Sequence, residues 1–199
     1  MSYYVRKFSR SKWQNLENNE APLEFCELKA DSITSCLRTT KDTLSFWIVE
    51  NINDSSEINE IILALSTHGN AENISSVIDL IFIEKEFLES KFDIRQCAGD
   101  TVITDLQSKH YDLINLNVKK IEILGNIFCD IINESSLNSD DNGKIIRKRE
   151  KDIKGVLRDF LDSNPDSKTL IKEKLLKTDN QKKEDERNIQ KDIAGGKKQ

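Results

Sequence analysis

Histidine is nearly missing from this chain: His68 and His110 are the only two imidazoles in 199 residues. The four cysteines, Cys26, Cys36, Cys97 and Cys129, are widely spaced and form no CxxC. Structural zinc sites draw on closely spaced Cys and His, so this pattern predicts no metal centre. The cysteines read instead as reduced, small apolar residues. No window approaches the roughly 18 uninterrupted apolar residues of a spanning helix, and mean hydropathy is −0.57. The opening "MSYYVRKFSRSKW" has no apolar core of signal-peptide length. A soluble, cytoplasmic protein without membrane contact is expected.

Enzymatic signatures are absent too. There is no GxxxxGK[ST] and no GxGxxG to cradle phosphates. There is no GxSxG elbow and no HExxH. No cofactor is therefore expected, and the chain reads as a non-enzyme. Three residues keep a catalytic alternative open. Asp79 interrupts the apolar run "VIDLIFIE" and would be perturbed if buried, although a hydrogen-bonded structural Asp is the simpler reading. His110 is placed on the first turns of a helix with no nucleophile marked nearby. Asp31 precedes a run of hydroxyls, but Ser32, Ser35 and Cys36 have no base arranged for them.

What the chain does have is charge, and it is unevenly spread. From Lys144 onward there are 17 Lys and Arg against 11 Asp and Glu, whereas the 143 residues before carry 13 against 24. An acidic body with a basic end argues against nucleic-acid binding over the whole surface. It leaves two basic segments as candidate partner-binding surfaces. One is Arg6, Lys7, Arg10 and Lys12, with no acid among the first 16 residues; the other is Arg147, Lys148 and Arg149. The second segment could touch DNA phosphate through Lys144 to Lys154, or its charges could pair within a helix.

Periodicity predicts an α/β fold of the mixed, α+β kind. "YYVRKF" alternates as a strand, Asp31 looks like the N-cap of a short helix, and "LSFWIVE" is a strand with both faces covered. Asp54 or Ser55 opens a helix whose Ile58, Ile61, Ile62 and Leu65 share a face. "THGN" ends it, with Gly69 as C-terminal cap. "VIDLIFIE" and "FDIRQCA" are further strands, with the short helix "KEFLESK" between them. Thr104 to Gln107 fits a capping box, predicting a long helix from there through Ile131, in which Gly125 marks close packing. The expected division is a core over 1–134, a linker over 135–143, a helical extension over 144–177 and a disordered tail over 178–199. In the extension, Ile146, Ile153, Val156, Leu157, Phe160 and Leu161 define one amphipathic helix, and Leu170 to Leu176 a second after Pro165. Both are expected to project from the core.

The order of "YVRKFSRSKW", "ADSITSCLRTTKDTLSFW", "IILALSTHGNAENISSVIDLIFIE" and "GDTVITDLQSKHYDL" resembles the small middle component of bacterial ABC three-component defence systems, including the Lamassu type. The resemblance covers roughly Tyr3 to Asp130. It implies a non-catalytic accessory, or adaptor, subunit in an anti-phage or anti-plasmid complex. Its implied partners are an SMC-like ABC ATPase and an effector nuclease, which it would bridge, with DNA reached only through the complex. A DNA-binding accessory protein and an enzyme of unrecognised type are the alternatives.

Overall fold

The computed structural model describes residues 1–13, 24–28, 30–67, 75–135 and 143–165. Among them, six strands form one antiparallel sheet: β1 (Tyr3–Phe8), β2 (Leu44–Val49), β3 (Val77–Glu84), β4 (Asp93–Gln96), β5 (His110–Ile114) and β6 (Ile145–Arg149). Their order across the sheet is β4-β5-β2-β1-β3-β6. The helices are α1 (Ala30–Cys36), α2 (Ser55–Ser66), α3 (Lys85–Glu89), α4 (Thr104–Gln107), α5 (Val118–Glu134) and α6 (Glu150–Ser163). The α+β class expected from periodicity is the observed one.

Strand alternation divides the apolar residues into two cores. On one face Tyr4, Phe8, Phe46, Ile81 and Ile83 pack against α5, α1 and α3, with Trp13 and Phe128 5.1 Å apart at the centre. On the other, Val5, Trp47, Val49, Leu80 and Phe82 meet α2, α4 and α6. Both faces of the central strands are therefore covered, which explains the near-continuous apolar run of β3.

The helix starts follow local chemistry. Asp54 caps α2, its side chain accepting from Ser56 N at 2.8 Å, and Asn117 caps α5 by accepting from Lys120 N at 2.9 Å. Gly125 of α5 faces Phe25 so closely that an added Cβ would lie 1.9 Å from Cε2. Its expected role in close packing is the observed one.

Several expectations need correction. The helix opened by Thr104 is the single turn α4, after which His110–Ile114 is a strand; the long helix starts only at Val118. Asn115, at φ 55°, turns the chain out of β5. The segment 145–149 is not helical but pairs with β3 as an edge strand, and α6 packs on α2. These two elements belong to the layered body rather than projecting from it. Asp31 lies within the first turn of α1, which begins at Ala30. The expected Gly69 cap, the second helix after Pro165 and the tail from 178 lie outside the described residues, as does most of the linker.

Candidate functional site

The basic residues singled out by sequence occupy very different environments. Arg6 lies half-buried where β1 and β2 stop pairing beyond Val5 and Trp47. Its Nε donates to Cys36 O at 2.9 Å and its Nη1 to Ser45 O at 2.5 Å, with the guanidinium over the Phe46 ring. It thereby satisfies the Ser45 carbonyl that the splayed strands leave open and the Cys36 carbonyl at the end of α1. Lys7 is exposed and donates to Ser75 Oγ at 2.8 Å; desolvation holds its pKa below the ordinary lysine value. Arg10 is buried, only 2% exposed. Lys12 is exposed, and its carbonyl accepts from Ser32 Oγ.

In the second segment, Arg147 stands directly across from Asp79 in the β3–β6 register. Its Nε and Nη2 donate to the two carboxylate oxygens at 2.6 and 3.0 Å, and Arg10 N donates to Oδ2 at 3.3 Å. Asp79 is thus a hydrogen-bonded structural carboxylate joining β3, β6 and the turn that follows β1. Lys148 is half-buried on β6 and Arg149 is exposed at its end, where the Arg149 N–H donates to Asp152 Oδ2. Lys144 lies near Glu84 and Glu134, and Lys154 pairs with Glu150 at 3.1 Å.

Two surface features gather chemistry beyond these residues. The first is a groove of about 230 Å³ between α3 and α5. Phe87, Ile127 and Ile131 line it among others, and the carboxylates of Glu84, Asp130 and Glu134 outnumber Lys144 around it. Phe87 is 45% exposed, and Ile123, one helical turn before Ile127, is 36% exposed.

The second is a cavity of about 410 Å³ where β1 and β2 part, lined by Arg6, Lys7, Cys36, Trp47, Asp100 and His110 among others. His110 is not on a helix but on β5, opposite Trp47, with the two rings 5.1 Å apart. The β4–β5 hairpin continues one pair beyond the named strands, Cys97 N donating to His110 O at 3.2 Å. That pairing sets the Cys97 thiol 3.2 Å from His110 Nδ1, while Asp112 Oδ1 lies 3.9 Å from Nε2. Burial, and then the neighbouring Asp112 carboxylate, push the Cys97 thiol up to about 11. Sequence pattern alone places His110 on a helix and marks no nucleophile in its reach; the strand pairing brings Cys97 beside it. The signal was "RQC" followed by "HYD": antiparallel pairing sets Arg95 opposite Asp112 and Cys97 opposite His110. Asp31, the third residue of the catalytic alternative, is exposed in the first turn of α1.

Among the described residues, no helix is long and apolar enough to cross a membrane. Comparison of the chain with family models, curated proteins and solved structures found no match.

Proposed function

We propose that this protein is a cytoplasmic, non-catalytic adaptor subunit of a bacterial ABC three-component defence complex of the Lamassu type. In this reading it holds an SMC-like ABC ATPase and an effector nuclease together. The observation that carries a binding role is the α3–α5 groove. An exposed aromatic beside an apolar stripe, edged by charge, has the anatomy of a small protein-docking surface. Its excess of carboxylates fits a basic segment of the ATPase partner with apolar anchors.

The reading draws its identity from the resemblance over Tyr3 to Asp130, and the segments that carry it contribute to β1, α1, β2, α2, β3, α4 and β5. A DNA-binding accessory role fits less well. Within Lys144 to Lys154, Lys144, Arg147 and Lys154 face carboxylates, which reduces the charge available to phosphate.

Co-expression with the products of the neighbouring genes tests the proposal. The chain should co-purify with an SMC-like ATPase, and Phe87→Asp should weaken that capture at least tenfold while leaving the thermal melt unchanged. A well-folded monomer that ignores both neighbours would overturn it.

A further inference from the structure

We propose that Cys97, His110 and Asp112 form a binding site for one divalent transition ion of the zinc class. One donor atom from each of the three residues can be chosen so that all lie within 4.8 Å of one another. Bond lengths of about 2.0–2.3 Å around a tetrahedral zinc put neighbouring ligand atoms roughly 3–4 Å apart. The Cys97 Sγ–His110 Nδ1 pair, 3.2 Å apart, already lies in that range, and the whole trio lies within 4.8 Å. Thiolate, imidazole and carboxylate together suit zinc, and cobalt(II) as its spectroscopic substitute, better than magnesium or calcium.

The surroundings have the features of a supported site. His110 is buried, and Cys97 and Asp112 are half-buried. Ser45 Oγ donates to Asp112 Oδ1 at 3.1 Å across the β2–β5 ladder, orienting the carboxylate as outer hydrogen bonds orient metal ligands. Trp47 stands edge-on to the imidazole and limits its rotation. Gly99 lets the loop after Cys97 close onto these rings: a Cβ there would lie 2.6 Å from Trp47 Cη2 and 2.9 Å from His110 Cβ. His110 also lines the 410 Å³ cavity that Arg6 and Lys7 share, so an ion on its imidazole lies beside a basic-walled pocket. This inference is independent of the adaptor reading.

The test uses the purified 199-residue chain, stripped with chelator and titrated with cobalt(II). One equivalent should produce a sulfur-to-cobalt charge-transfer band, zinc should displace it, and zinc should raise the melting temperature. Cys97→Ser should abolish the band, whereas Cys26→Ser, at an exposed cysteine, should leave it intact. Asp112→Asn should weaken binding at least tenfold, and Ser45→Ala about tenfold through loss of orientation. Circular dichroism checks that each variant is folded, and Asp112→Asn serves should Cys97→Ser fail that check. A wild-type protein with neither band nor zinc-dependent shift would overturn the site, leaving a hydrogen-bonded trio only. A band that survives Cys97→Ser would overturn it equally.

Discussion

Asp79 and Arg147 meet side by side across the β3–β6 ladder in a two-point ion pair, 2.6 and 3.0 Å long, on the sheet face that carries Phe8 and Ile81. Asp79 is 5% exposed, and it also accepts from the Arg10 N–H. A carboxylate set among apolar strand residues is tolerated because both oxygens are satisfied. The pair also ties β6, an edge strand, to the interior of the sheet.

Asp79→Ala should therefore destabilise the fold by about 2–4 kcal/mol, since it removes the acceptor of two guanidinium hydrogen bonds and one backbone hydrogen bond. Arg147→Ala alone should cost a similar amount. The double variant should be less damaged than the two singles combined, with a coupling of about 1–3 kcal/mol in urea unfolding. Strict additivity would show that the pair contributes no coupling.

Much of the sheet could be read from the chain because its strands carry their own period. In β2, Leu44, Phe46 and Ile48 alternate with Trp47 and Val49, and the two sets enter the two cores. β5 and β6 were hidden for different reasons. At Thr104 the capping signal is real, but it opens only one turn before "HYDLI" resumes strand alternation. In β6, "IIRKR" is too charged to read as a strand until Asp79 is known to lie opposite Arg147; tertiary pairing decides it. The Cys97–His110 pairing was out of reach for the same reason, since it exists only once His110 is on a strand.

Gly125→Ala sets two effects against each other. Alanine gains about 1 kcal/mol of helix propensity, but its Cβ would lie 1.9 Å from Phe25 Cε2. Overpacking costs about 1–3 kcal/mol, so the expected net loss is about 0–2 kcal/mol in thermal or urea unfolding. In a Phe25→Ala background the ring is gone, and Gly125→Ala should become neutral or stabilising.

Lys41 and Asp42 join α1's exit to β2 through a two-residue turn in which Thr40 and Thr43 exchange both backbone hydrogen bonds. Both central residues have positive φ, 53° and 58°, as a type I′ turn requires. Neither is the residue such a turn favours. Replacing the pair by Asn-Gly should raise stability by about 1 kcal/mol, read as a higher urea midpoint with unchanged slope.

The Cys97 thiol offers a pH test in metal-free protein. Its pKa is raised from 9.0 to about 11, first by burial and then by Asp112. At pH 8 its thiolate fraction, and hence its alkylation by iodoacetamide, should be about a hundredfold below that of an unperturbed thiol. The sign for stability follows from which state holds the proton. Between pH 9 and about 11 the unfolded chain has released it while the folded chain keeps it, so this group's contribution falls as pH rises through that window. Asp112→Asn removes the carboxylate's charge and should speed alkylation of Cys97, as followed by mass spectrometry of the labelled peptide. An unchanged rate in that variant, with the fold intact, would assign the whole shift to burial.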